Sequence, residues 1–112
     1  MIIEQPITAA LVAATATAYY TSPANLKRAI IKAVSFTNTD TVPQTITVHL
    51  VPAAGSATDT NKLIAARSLN AGETFQCAEL ENKVLLAGGM LQALASAASK
   101  VSIQGTVLEH SF

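Results

Sequence analysis

Apolar and polar residues alternate one for one in the most legible stretches of this chain. Between Gln44 and Val51 the apolar positions are Ile46, Val48 and Leu50, set against Thr45, Thr47 and His49. A period of two belongs to a strand with one face on a core, and no helix face can present it. Between Val101 and Glu109 the same rule places Val101, Ile103 and Val107 on one side and Ser102, Gln104 and Thr106 on the other. Gly105 in that stretch predicts a bulge or a close neighbour. Between Arg28 and Asn38, strict alternation groups Ile30, Val34 and Phe36 with Lys32, and sets Ile31 and Ala33 opposite. That strand is apolar on both sides, as expected near a core or an interface.

Turn residues punctuate the alternation about every ten positions. Ser22-Pro23-Ala24-Asn25, Asn38-Thr39-Asp40-Thr41 with Val42-Pro43, and Ala87-Gly88-Gly89 read as turns or loops. Asn70-Ala71-Gly72 reads as a tight hairpin turn in which Gly72 takes a positive φ. Residues 52–61 are small and polar and form the longest loop, expected to be a mobile surface excursion. Eight strands fall between these breaks, at 15–21, 29–37, 45–51, 63–69, 74–78, 83–86, 91–97 and 101–109. Alanine and leucine in 90–98 favour a helix by propensity. The short span between Gly89 and Ser99, and a sandwich's need for an eighth strand, favour a strand there. The expected fold is all-β: an antiparallel β-sandwich, jelly-roll-like, of about eight strands. Residues 1–14 read as an N-terminal arm or edge strand, and 15–112 as a single sandwich domain.

Composition sharpens this picture. The 112 residues are 50 % hydrophobic but only 12 % charged, about half the charge of an ordinary soluble domain. Seven basic and seven acidic residues cancel. Such a chain is not disordered, and it lacks the basic surface that binds phosphate backbones. The single cysteine excludes an intramolecular disulfide and a Cys-based zinc site. No run is long and apolar enough for a membrane helix, and the start has no basic residue before its apolar stretch, unlike a secretory signal. Ala13, Ala16, Ala65, Ala93, Ala95 and Ala97 occupy positions read as outside the core, where Lys or Glu is usual. Small, weakly charged faces suit close approach by another surface, so the composition points to a subunit of an assembly.

No constellation of reactive side chains emerges. Cys77 reads as a buried small hydrophobe, with no basic cluster to activate it. His49 and His110 have no metal-ligand spacing and read as surface or interface histidines. Glu79 and Glu81 share a face if the strand from Thr74 continues through Leu80. A glycosidase pair would want an aromatic platform as well, and the chain has no Trp. Asp59-Thr60-Asn61 lacks the remainder of a calcium loop. Lys27-Arg28 read as solvated turn charges. Tyr19 and Tyr20 are consecutive, so alternation predicts one in the core and one exposed as an interface anchor. Catalytic residues, cofactors and metals are therefore not expected. The candidate interface residues are Ile2, Ile3, Leu11, Val12, Tyr19, Tyr20 and Phe112.

One series of motifs resembles a known group. Tyr20-Thr21-Ser22-Pro23-Ala24 is followed by an isoleucine-rich strand ending in Asn38. Thr45-Ile46-Thr47-Val48 comes next, then Leu69-Asn70-Ala71-Gly72-Glu73-Thr74, Leu85-Leu86-Ala87-Gly88 and a closing Ser102-Ile103-Gln104-Gly105. Over residues 15–109 this is similar to small virion proteins of tailed bacteriophages. The resemblance implies a non-enzymatic, oligomeric β-sandwich: a capsid decoration (cement) subunit that stabilises the head, or a small tail or baseplate subunit. It implies a trimer that contacts itself and other virion proteins such as the major capsid protein. It also implies a place in the virion after synthesis in the host bacterial cytoplasm, with no nucleic acid, membrane or small-molecule substrate. A carbohydrate- or receptor-binding module stands as the alternative from another class.

Overall fold

Strands form where the alternation predicts them, and their pairing rolls one long hairpin into two sheets. The computed structural model describes residues 2–111, apart from the side chains of Leu26 and Lys27. The strands are β1 (Ile2–Leu11), β2 (Thr17–Thr21), β3 (Leu26–Asn38), β4 (Gln44–Val51), β5 (Lys62–Leu69), β6 (Thr74–Gln76), β7 (Val84–Leu86), β8 (Met90–Ala95) and β9 (Val101–Ser111). One sheet runs β1-β9-β3, with β6 and β7 both on the far side of β3; the other runs β2-β8-β4-β5. All pairings are antiparallel. Phe75 of β6 lies opposite Phe36, and Leu85 of β7 opposite Ala29, so β6 and β7 occupy successive stretches of one edge. Counted as one broken strand, they complete a nested set: β1 with β9, β2 with β8, β3 with β6/β7, β4 with β5. That is a jelly roll, a long hairpin wrapped into a two-sheet sandwich. Residues 2–11 form the edge strand of the larger sheet.

Bulges decide which side chains face inward. β3 slips register against β9 between Ile31 and Ala33. The extra residue sends Lys32 and Ala33 both outward, so Ile31, Val34 and Phe36 are buried while Ala33 is exposed. The strict alternation that grouped Ile30 with Val34 and Phe36 is corrected: a bulge changes phase halfway along the strand. β2 slips between Ala18 and Tyr20. In consequence Tyr19 and Tyr20 are both half-buried against the core, and neither is the exposed anchor that alternation predicted. β9 keeps its phase throughout, and Val101, Ile103 and Val107 are sealed.

Gly105 explains why β9 stays regular between two irregular neighbours. It pairs with Ile7 of β1 and Val34 of β3, each next to a slip in its own strand. A Cβ at this position would stand 2.5 Å from the Ala33 carbonyl oxygen and 3.0 Å from Ile7 Cδ1. Only glycine admits that approach.

The core lies between the sheets, around Phe36, Ile31, Ile46, Leu69, Leu80, Leu91 and Ile103, all fully buried. Each such side chain contributes about 2 kcal/mol by leaving water. Ala93 and Ala95, expected outside the core, are 0 % and 3 % exposed and point inward beside Leu91. β8 is a strand, and its period-two burial outweighs the helix propensity of its residues. The Asn70–Gly72 turn is not a hairpin, because β5 and β6 lie in different sheets; Gly72 does take φ +74° there. Asn38, fully buried, ties that turn down. Its Nδ2 donates to the carbonyls of Val42, Leu69 and Asn70, and its Oδ1 accepts from the Asp40 N–H.

Candidate functional site

The two outer faces of the sandwich differ, and the larger sheet carries the candidate site. Pairing sets Ile2, His110, Arg28 and Leu86 side by side across four strands. The next outward row is Glu4, Leu108, Ile30 and Val84. The rows between them point inward, as buried Ala29 and Leu85 show. An outer sheet face is ordinarily polar. This one exposes 61 % of Ile2, 69 % of Leu86 and 48 % of Val84, with half-buried Ile30 and Leu108 between them. Lys32 reaches Glu4 at 2.9 Å across the same face. Both ends of that pair are largely exposed, so it adds little stability.

Beyond the large side chains the face sinks into a groove of about 330 Å³. Its floor is Ala9, Ala33 and Gly105, and Gln76, Glu81 and Gln104 lie along it. The groove follows from the bulges: both neighbours of Gly105 turn small residues outward there. A second, more apolar hollow of about 540 Å³ opens at the corner between β4 and β7, against Leu50, Pro52, Ala53, Leu85 and Ala87. Val84 and Leu86 border it too, so the apolar surface continues round the edge of the sheet.

The residues expected at an interface are scattered. Ile2 is on the outer face, and Ile3, 42 % exposed, lies opposite Glu109 in the inward-pointing row. Leu11 is exposed at the opposite end of β1. Val12 is fully buried, which corrects its reading as an interface residue: it turns into the core just past the end of β1. Tyr19 Oη accepts from the Ala13 N–H at 2.7 Å. Tyr20 Oη donates to the Glu109 carboxylate, joining β2 to β9 across the sandwich. Burial first, then this hydrogen bond and the nearby negative charge, push the Tyr20 phenol well above its ordinary value. Phe112 lies outside the described residues. Sequence reasoning missed Ile30, Val84, Leu86 and Leu108. The exposure of β7 was not foreseeable from three residues, but Ile30 had a signal in the two-sided apolar character of β3.

The remaining reactive side chains serve the fold. Burial pushes the Cys77 thiol up to about 11, and it is 1 % exposed. The strand from Thr74 ends at Gln76, and Ala78–Leu80 forms a 3-10 turn, so Glu79 and Glu81 are not an alternating pair. Lys27 and Arg28 lie within β3 rather than in a turn. Asp59 pairs with Lys62 at 3.1 Å. His49 does face away from the core, but it is only 4 % exposed because the 52–61 loop covers it. Its Nδ1 meets Asn61 Oδ1 at 2.9 Å. That oxygen also accepts from the Thr58 N–H, so His49 Nδ1 is the donor; Asn61 Nδ2 in turn donates to the Ser56 carbonyl. The loop expected to be mobile is thus tethered at its centre. The Arg67 guanidinium stacks 3.8 Å from the Phe75 ring centre. Among the described residues no three His, Cys, Asp or Glu side chains group as metal ligands, and no helix is long and apolar enough to cross a membrane.

No family model matches the chain, and no curated protein matches it in sequence. Solved structures do match in fold. A structure of Bacillus endospore appendages, described as a family of disulfide-linked pili, superposes with a TM-score of 0.56 at 14 % identity, over 99 % of this chain and 88 % of that one. A chain of infectious bursal disease virus, Gx strain, superposes with a TM-score of 0.51 at 15 % identity, over 97 % of this chain but 32 % of that one. This chain therefore spans about a third of the viral chain. At these identities the likeness is one of fold.

Proposed function

We propose that this chain is a non-catalytic structural subunit that acts by self-association within an assembled particle or fibre. The observation that carries the reading is the apolar outer face of the larger sheet, with Ile2, Val84 and Leu86 in water. The pilus and viral structures that share the fold support it. Association would be driven by removing that surface from water, at about 25 cal/mol per Å² of apolar area, less the entropy of association. The one cysteine is buried, so the chain presents no exposed thiol for a disulfide of the kind named for the pili it resembles in fold.

The finer reading is a capsid decoration subunit of a tailed bacteriophage, trimeric and bound to the major capsid protein, with a tail or baseplate subunit beside it. Light scattering behind size exclusion, followed by co-sedimentation with undecorated phage shells, tests it. Self-association and shell binding support decoration. Self-association without shell binding moves the chain to another part of a particle, and a monomer that binds no shell sinks the structural reading. The whole-length match to the pilus structure favours a second form, a fibre, which electron microscopy of concentrated protein would show directly. A sugar-binding module is disfavoured by the aromatic residues: Phe36 is buried, Phe75 lies under Arg67, and both tyrosine hydroxyls are engaged within the chain.

A further inference from the structure

Strand addition at an edge is the usual route by which sheets join, and each edge of this sandwich is blunted against it. β1 carries Pro6, which has no N–H to donate, and slips register between Ile7 and Ala10. β2 is five residues long and bulged. β5 slips twice against β4 and holds Ala66 at φ +45°. β6 and β7 are three residues each, separated by the 3-10 turn. Assembly is therefore left to the faces, and the two faces are unequal. The 52–61 loop is fastened over His49 on the smaller sheet through Asn61, whereas no segment among the described residues crosses the apolar rows of the larger one.

We infer that the occupant of this face is a second copy of the chain, packed face to face about a two-fold axis. The inference rests on the self-association proposed above, names its contact, and takes a two-fold dimer in place of the trimer. Three observations support it. The first is area: an axis beside Ile30 overlaps residues 26–34 of β3 in the two copies, about 30 Å, and four strand positions are about 19 Å wide, a footprint of about 570 Å². That matches what each partner contributes to a small, concentration-dependent interface. The second is shape. Projecting side chains and a hollow occur on the same face, Ile2, Val84 and Leu86 at one end and the floor of Ala9, Ala33 and Gly105 beyond them. Truncating one buried leucine leaves a cavity of about 150 Å³, so a groove of about 330 Å³ has room for two aliphatic side chains. In the register of the sheet Ile30 lies about midway between Leu86 and that groove. A two-fold axis beside Ile30 therefore seats the Leu86 end of each copy in the groove of the other. The third is charge: the exposed Glu4 and Lys32 pair with each other, and Arg28 in the Leu86 row is offset by Glu81 along the groove, so the face presents no excess of either sign to a copy. An interface of this kind is isologous and closes at two subunits.

The test is sedimentation velocity on the full chain up to about 100 µM, with Leu86→Lys and Ala33→Leu measured alongside. Both substitutions are at exposed positions, and unchanged thermal unfolding will show that each variant folds. The expected result is a concentration-dependent dimer whose dissociation constant rises at least about tenfold in either variant. Leu86→Lys removes the projecting side chain, and Ala33→Leu fills the seat. A dimer indifferent to both substitutions overturns the face-to-face contact and leaves the structural reading standing, as does a trimer. A monomer at every concentration overturns the contact and the self-association on which it rests.

Discussion

The two outer faces of one sandwich show two treatments of apolar surface. On the smaller sheet, Val51 and His49 point away from the core and are nonetheless buried, at 1 % and 4 % exposure. The chain lays its own 52–61 loop over His49, and Asn61 fastens that loop to it. On the larger sheet, Ile2, Val84 and Leu86 occupy the same kind of outward position and stay in water. Leu86 lies beside Arg28 and Val84 beside Ile30, and no segment among the described residues crosses them. A chain with 12 % charged residues has few with which to solvate a face, and here it solvates neither. One face is closed internally, and the other stays open.

The largest effect on this contrast should come from the floor of the open face. Gly105→Ala forces a Cβ against the Ala33 carbonyl and Ile7. We expect a loss of about 3 kcal/mol, read as the shift of the urea midpoint. A variant as stable as wild type would mean that the bulges beside Gly105 relax freely. Next comes the covered face. Asn61→Ala deprives buried His49 of its Nδ1 partner and should cost about 1–2 kcal/mol. Limited proteolysis should then cut within residues 52–61, where wild type resists; equal resistance would show that packing alone holds the loop.

The smallest effect concerns the strap between the sheets. The phenol of Tyr20 is pushed above its ordinary value near 10. The folded state then keeps a proton that the unfolded state releases. The stabilisation is complete below about pH 10 and declines as pH rises beyond it. Tyr20→Phe should flatten the alkaline limb of thermal stability above pH 10, and a limb of unchanged slope would remove Tyr20 from that linkage.

Much of the fold was legible because alternation and turn chemistry are local. Val101, Ile103 and Val107 face inward as their spacing requires, Gly72 has its positive φ, and β8 is a strand despite its alanines. The site was far less legible. A bulge at Lys32 reversed the phase of β3, and one in β2 drew both tyrosines against the core. Nothing local marks these slips, because they arise where a strand must match two neighbours at once. Val12 and Ala93 were read as surface for a related reason: a small or medium apolar residue has no intrinsic side, and its neighbours across the sandwich supply one.

The order of residues alone determined an all-β chain, the approximate bounds of its strands, a bulge or close neighbour at Gly105 and a scarcity of charge. Only the tertiary structure decided that the larger sheet's outer face is the open one. Exposure at Val84 or Leu86 is a property of what lies over a strand, and the loop that covers the other sheet reaches it only once the hairpin has rolled up.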